Sequence, residues 1–273
     1  MGGSYPRPMS TSPSRKLPKK LPRRKLKPPK QKQSSSRSPS PSSPKPRQSP
    51  SPRLPKSPSP SRRTGKKLLS FDRRIGARYV VGADEAGRGS LAGPLLVAGV
   101  LLDYGALRGA KVRPLALLND SKQLTSERRE ELFRAVLCCA ERISVHAFSP
   151  ARIDRDGLHN CNLNGLRAAL HALTPPGEIC LVDGFRLGPA PVAPEHTAVV
   201  DGDERSAAIA AASIVAKVVR DRLMRRMDSL FPAYGFASHV GYITPEHSAR
   251  VRRHGPSEVH RRSFQALCYA DAV

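Results

Sequence analysis

The chain has 273 residues and a formal net charge of +25, spread very unevenly. Residues 1–67 hold 20 Lys or Arg, 16 of the 27 prolines and no acid, whereas the remainder is nearly balanced at 27 basic against 22 acidic residues. The N-terminal part has too few apolar residues to offset the entropy of ordering, so residues 1–70 are expected to form a disordered tail rich in Pro, Ser, Arg and Lys. No run anywhere approaches the ~20 apolar residues of a membrane span.

About 200 residues remain, enough for one full core and a small appendage. The five cysteines are odd in number and form no CxxC pair, which points to free thiols in a reducing compartment. The N-terminus is basic but lacks an apolar segment, so a secretory signal is not expected. Its Arg- and Ser-rich, acid-free character is compatible with an organellar transit peptide, although its proline density opposes the amphipathic helix such peptides form.

The first predicted element is a buried strand in "RYVVGA" (78–83). A Gly-rich connection leads to a second strand, "LLVAGVLLD" (95–103). A helix follows over 125–142, with Leu132, Phe133, Val136, Leu137 and Ala140 on its apolar face. Next come a strand at 143–149 and a short helix capped by Ser149 with Pro150 at its first position. The helix "NLNGLRAALHAL" carries Leu163, Leu166, Leu170 and Leu173 along one side. Strands at 178–184 and 197–203 precede one long helix over 204–231. Thr244 and Pro245 open a last helix, ended by Gly255. Interleaved strands and helices of this kind predict an α/β core, with helices packed against a mixed sheet. The predicted division is a tail (1–70), a catalytic core (71–230) and a small C-terminal helical extension (231–273).

Four acids fall at predicted strand ends. Asp84 and Glu85 follow "VVGA", Asp183 follows "ICLV", and Asp203 follows "AVVDG". Strand ends in an open α/β sheet face the functional crevice. Carboxylates gathered there repel one another unless a cation joins them. Hard dications such as Mg²⁺ or Mn²⁺ take oxygen ligands, and two of them suit phosphodiester hydrolysis. A single Asp-Gly after a strand is more often a turn residue or cap, and Asp120, Asp154, Asp156 and Asp201 fit that simpler description. The glycine loop 82–94 lacks the Gly-Lys-Ser/Thr ending of a P-loop and leads into a strand. Its glycines instead allow close backbone approach to a ligand, with Arg88 available for a phosphate or sugar oxygen.

"GADEAGRG" (82–89) resembles the signature of type 2 ribonucleases H. "NDSKQL", "LVDGF", "DGDERSAAIAAASIVAKVVRD", "FPAYGFASHVGY" and "HGPSEVHRRSF" follow in the family's order. The resemblance covers roughly residues 78–265 and implies a ribonuclease H-like mixed β-sheet flanked by helices. It implies a metal-dependent endonuclease that cuts the RNA strand of RNA–DNA hybrids and nicks DNA at embedded ribonucleotides. Products would carry 5′-phosphate and 3′-hydroxyl ends. Asp84, Glu85, Asp183 and Asp203 match the family's metal-binding acids. Gly87, Arg88 and Gly89 match its ribose-sensing turn, where backbone reads the 2′-hydroxyl, and Tyr242 matches the tyrosine that packs on the adjacent sugar.

Lys122 is a candidate phosphate contact, as is Lys217, which shares one helix face with Ser213 and Asp221. Ser213 is expected to be a packing residue and Asp221 an ion-pair partner. Arg261 and Arg262 are expected to grip the nucleic-acid backbone or to be solvated. His239, His254 and His260 have no assigned role. The chain departs from the family at Asp201 and Val240, where lysines are usual, and at Gln265, where proline is. No clamp-binding peptide is evident in "FQALCYADAV", and a cytoplasmic monomer is expected by resemblance. Two other readings remain open. In a non-enzymatic nucleic-acid binder, Asp183→Asn would leave binding intact. A metal-independent hydrolase using paired carboxylates would survive EDTA.

Overall fold

The computed structural model describes residues 62–119, 121, 124–174 and 178–270. Strand β1 (Tyr79–Ala86) is the hub of a five-stranded sheet. It pairs antiparallel with β2 (Leu95–Asp103), which pairs antiparallel with β3 (Arg142–Phe148). On its other side it pairs parallel with β4 (Ile179–Asp183), and β4 pairs parallel with β5 (His196–Val199), giving the order β3-β2-β1-β4-β5. β2 is buried at every position, as its unbroken apolar run requires of a strand covered on both faces.

Three helices cover one face of the sheet: α1 (Arg62–Arg74), α2 (Ser126–Cys139) and, later in the chain, the long α5 (Ala207–Leu230). The other face carries α3 (Pro150–Asp156) and α4 (Leu158–Leu173). A third apolar cluster forms where Leu91 and Ala92 meet Met224 and the C-terminal helices α6 (Phe236–His239), α7 (Pro245–His254) and α8 (Leu267–Ala270). Helix starts follow their caps: Thr125, Ser149, Ser206 and Thr244 each accept a backbone N–H of the first turn. α5 lies so close to β1 that a Cβ on Gly82 would fall 2.1 Å from the Ala208 backbone.

Several expectations change. Residues 62–70, assigned by composition to the tail, belong to α1. Leu68 and Leu69 enter the core, and buried Asp72 accepts hydrogen bonds from Tyr104 Oη (2.6 Å) and Ala208 N (2.9 Å). The helix expected to reach residue 142 stops at Cys139, because Arg142 already belongs to β3. Leu137, expected on the apolar face of α2, is 52% exposed. β5 ends at Val199, and Asp203 lies in a 3-10 turn (Gly202–Glu204) that leads into α5. All five cysteines are free; Cys161, Cys180 and Cys268 are buried and Cys138 is exposed. Among the described residues no helix is long and apolar enough to cross a membrane.

Candidate active site

Parallel register sets the site. Ala83 pairs with Val182, so Asp84 and Asp183, one residue further on, stand level at the C-terminal ends of adjacent strands. Asp84 and Glu85 lie within the last turns of β1 rather than beyond it, and Asp84 is 5% exposed. A cleft of about 310 Å³ opens above them, lined by Asp84, Glu85, Gly87, Arg88, Asp183, Lys217 and Tyr242, together with Ser121 and Ser213.

The acids are held firmly and are poorly compensated. Asp84 Oδ1 accepts from the Glu85 backbone N–H at 2.7 Å, and Asp183 Oδ1 accepts from Gly202 N at 2.7 Å. Burial, then the charges of Glu85 and Asp183, raise the Asp84 carboxyl well above its ordinary range. Burial also raises Glu85, against the pull of Arg88, whose Nη1 donates to Glu85 Oε1 at 3.3 Å. The amide of Asn162, fully buried on α4, opposes the same shift but makes no well-formed hydrogen bond. Among the described residues Glu85 Oε2 is buried with no hydrogen-bond partner. A buried carboxylate oxygen without a donor is costly, and a cation is the group that would satisfy it.

Asp203 differs from the other three. It is 4% exposed and does not line the cleft. Among the described residues no three His, Cys, Asp or Glu side chains already form a metal-holding group. The donor set of Asp84, Glu85 and Asp183 therefore fits a hard dication in its chemistry, with oxygens only, but is not a closed cage.

Arg88 folds back over the Phe185 ring (4.9 Å to the centroid) as well as onto Glu85, instead of extending toward a ligand. Lys217 Nζ donates to Asp221 Oδ1 at 2.8 Å and sits 4.8 Å from the centre of the Tyr242 ring. Asp221 is thus the ion-pair partner expected, shared with Arg129 at 3.6 Å. Ser213, expected only to pack, lines the cleft and hydrogen-bonds Ser121 at 2.9 Å. Lys122 lies outside the described residues. Asp154 and Asp156, expected as turn residues or caps, lie in α3 instead: Asp154 accepts from the distant Arg262 N and Ser263 N, and Asp156 pairs with Arg152 and Arg155. Asp201, at φ 51°, is a left-handed turn residue.

The two glycines of the turn differ. Gly87 has φ +92°, and a Cβ there would fall 2.0 Å from Arg220 Nε; the fold itself demands glycine. Gly89 has no such φ, is exposed, and a Cβ there would meet nothing within 4 Å. No contact within the chain explains why residue 89 lacks a side chain.

Behind Tyr242 the histidines form a hydrogen-bonded series that fixes their tautomers. Ser257 N donates to His260 Nδ1 (3.0 Å), His260 Nε2 faces His247 Nε2 (3.1 Å), and His247 Nδ1 donates to Tyr242 O (2.9 Å). Burial, aided by neighbouring rings, pushes His247 and His260 down to about 4. Both rings are therefore neutral at pH 7, and His247 holds the Tyr242 carbonyl.

A family model described as ribonuclease HII matches residues 81–267. The chain is 48% identical over 195 residues to the ribonuclease HII of Rhizobium johnstonii, covering 71% of this chain and 81% of that protein. To the ribonuclease HII of Geobacillus kaustophilus it is 43% identical over 202 residues, covering 73% and 74%. The ribonuclease HII solved as a PCNA complex from Archaeoglobus fulgidus superposes at TM-score 0.54 and 27% identity, covering 68% of this chain and 95% of that one. Bst-RNase HIII in complex with Mn²⁺ shares the fold at TM-score 0.53 and 19% identity, covering 79% and 72%. With that span matched and almost half of its residues shared with a curated member, the chain belongs to the ribonuclease HII family, ribonuclease H enzymes that act on RNA–DNA hybrids.

Proposed function

We propose that this chain is a divalent-metal-dependent endonuclease that cuts the RNA strand of RNA–DNA hybrids and nicks duplex DNA at embedded ribonucleotides, leaving 5′-phosphate and 3′-hydroxyl ends. The observation that carries the reading is the level placement of Asp84 and Asp183 on adjacent strand ends, beside a turn whose Gly89 is left open. Asp84, Glu85 and Asp183 would hold Mg²⁺ or Mn²⁺, with Asp203 contributing from outside the cleft wall. When bound, such ions supply Lewis acidity at the scissile phosphate and ionise a water nucleophile.

The chain's own groups do the positioning. Arg88 holds Glu85 in place across 3.3 Å. Lys217, held by Asp221, would supply positive charge in the cleft lining for an entering phosphate. Tyr242, half-buried and flanked by Lys217 and Arg220, offers a ring face to the sugar beside the ribonucleotide. The backbone at Gly87–Gly89 reads the 2′-hydroxyl that distinguishes RNA from DNA. The protein would work as a monomer on nucleic acid, in the cytoplasm.

The test uses a duplex with one embedded ribonucleotide, with Mg²⁺, Mn²⁺ or EDTA, on wild type and Gly89→Ala. Wild type should cut at the ribonucleotide only with metal. Gly89→Ala should keep its Tm, because space at that Cβ is open, yet lose at least about tenfold in kcat/KM, about 1.4 kcal/mol of barrier. Cleavage in EDTA, or unchanged kcat/KM in Gly89→Ala, would overturn the reading.

A further inference from the structure

Arg220 and Arg261 are the largest fully buried side chains among the described residues. Among the described residues neither has a carboxylate within ion-pair distance. Their guanidinium groups are spent on main-chain carbonyls instead. Arg220 donates through Nε to Pro94 O (3.0 Å), through Nη2 to Ala92 O (3.0 Å) and through Nη1 to Val240 O (2.9 Å). Arg261 donates through Nε to Gly93 O (3.0 Å) and through Nη1 to Arg88 O (2.9 Å), and its own backbone N–H donates to Leu91 O (2.9 Å). Burial, then the nearby Arg220 charge, push Arg261 down to about 9, which leaves it charged at neutral pH.

These bonds gather the carbonyls of residues 88 and 91–94 on one side of the loop. The N–H groups of Leu91, Ala92 and Gly93 are likewise used, on Gly241 O and Val259 O. The N–H groups of Gly87, Arg88 and Gly89 take no part in these bonds, and Gly87 and Arg88 line the cleft. In a planar trans peptide the C=O of one residue points opposite the N–H of the next, so the bond that fixes Arg88 O inward turns the Gly89 N–H the other way. Gly87 has no room for a side chain because Arg220 fills that space, and Arg220 also lies 5.3 Å from the centre of the Tyr242 ring.

We propose that Arg220 and Arg261 are positioning residues that clamp the carbonyls of the 88–94 loop, so that the Gly87–Gly89 amides are presented to the sugar of the ribonucleotide. The proposal deepens, and rests on, the ribose-reading function above. It replaces the expectation that Arg261 grips nucleic acid, since a fully buried guanidinium cannot; Arg262, its neighbour, is exposed.

The test has two parts. Backbone hydrogen exchange of wild type should show Leu91–Gly93 strongly protected, with this protection reduced at least tenfold in Arg261→Lys and Arg220→Lys. Kinetics of the same variants should show kcat/KM at a single embedded ribonucleotide lowered at least tenfold. On a long RNA–DNA hybrid, which offers many registers, the loss should be at most about half as large on a logarithmic scale. A merely structural role would lower Tm and scale both activities by the folded fraction. Equal loss on both substrates, or wild-type kinetics in both variants, would overturn the clamp. So would fast exchange across 91–93 in the wild-type protein, a result that needs no variant to fold. If wild type fails to cut the single ribonucleotide, the ribose reading falls, and the exchange measurements still decide whether the clamp exists.

Discussion

Two regions of the molecule bury charge with little or no counter-charge and resolve it in different ways. At the strand ends, buried Asp84 and half-buried Glu85 lie beside Asp183, their carboxyls pushed upward by burial and by neighbouring acids, with Glu85 Oε2 unpartnered among the described residues. Arg220 on α5 and Arg261 between α7 and α8 are buried with no carboxylate in ion-pair distance among the described residues, yet five of their six guanidinium nitrogens donate to main-chain carbonyls, and only Arg261 Nη2 has no partner there. Hydrogen bonds from fixed dipoles can hold a guanidinium permanently inside a protein. Backbone N–H groups answer part of the carboxylate cluster, at Asp84 Oδ1 and Asp183 Oδ1, but among the described residues none bonds Glu85 Oε2. The cationic region is therefore nearly satisfied as folded, and its proposed role is geometric. The anionic region is less complete: Glu85 Oε2 is buried without a partner among the described residues, and a cation is the group that would satisfy it.

The sharpest way to break this comparison is to neutralise one acid. Asp84→Asn or Asp183→Asn should fold normally, with Tm unchanged or raised because a buried repulsion is removed. Cleavage in Mg²⁺ should fall by on the order of a thousandfold, about 4 kcal/mol of barrier. Asp203→Asn should lose less, because Asp203 does not line the cleft. Near wild-type turnover in Asp183→Asn, measured by gel assay in Mg²⁺, would remove the acids from the chemistry. A loss in Asp203→Asn as deep as in Asp84→Asn would show that the cleft walls rearrange on metal binding.

The next effect concerns stability. α1 lies outside the matched family span, yet Leu68 is 1% exposed and Asp72 is fully buried. Leu68→Ala should cost about 3 kcal/mol, a drop in Tm of roughly 6–12 °C for a domain of this size. Thermal melting followed by circular dichroism checks it, and a shift under about 2 °C would mean α1 is not part of the core.

A smaller effect belongs to the cationic region. His247 and His260 are pushed down to about 4 in the folded chain, below the ordinary value of 6.5. The unfolded chain therefore takes up protons that the folded chain refuses. Stability from the neutral rings is complete above about pH 6.5 and is lost as pH falls from there toward 4. At roughly 1.4 kcal/mol per unit per ring, the pair should cost up to about 2–3 kcal/mol between pH 7.5 and 5.5. Urea unfolding at the two pH values measures it, and a flat profile would break the tautomer assignment.

How far the sequence revealed these regions depends on where each constraint resides. Asp84, Glu85 and Asp183 were legible because apolar runs of strand length announce the strands they terminate, and parallel pairing then sets them level. Asp203 was misplaced because "TAVVDGD" reads as one strand, whereas β5 stops at Val199 and a left-handed Asp201 turns the chain. α1 was hidden because "RRTGKKLLSFDRR" has the tail's charge; its signal was the pair Leu68 and Leu69 ahead of an isolated acid, Asp72. Arg261 and Arg262 are indistinguishable in sequence. What buries one and exposes the other is a set of carbonyls some 170 residues earlier in the chain, and nothing local encodes that. Val240, a β-branched residue at φ 44°, sits where Arg220 pulls its carbonyl inward, and the family's usual lysine gave no hint of that strain.

The smallest expected effect concerns residues 1–61, which precede α1 and carry 16 Lys or Arg with no acid. A chain segment of that composition binds phosphates without reading sequence, and the counterions it releases make binding fall steeply with salt. It contributes none of the acids and none of the loop clamp. Deleting residues 1–61 should therefore leave kcat and Tm unchanged, raise KM several-fold at low salt, and flatten the dependence of KM on salt. The cut must fall before Arg62; removing residues 1–67, a boundary that composition alone suggests, would truncate α1 and confound tethering with stability. Full-length and deleted proteins are compared on one ribonucleotide-containing duplex across a salt series. Superimposed curves would make the segment irrelevant to substrate. A fall in kcat would mean that the basic segment reaches into the less complete, anionic region and alters its chemistry, and the division between the two regions would have to be redrawn.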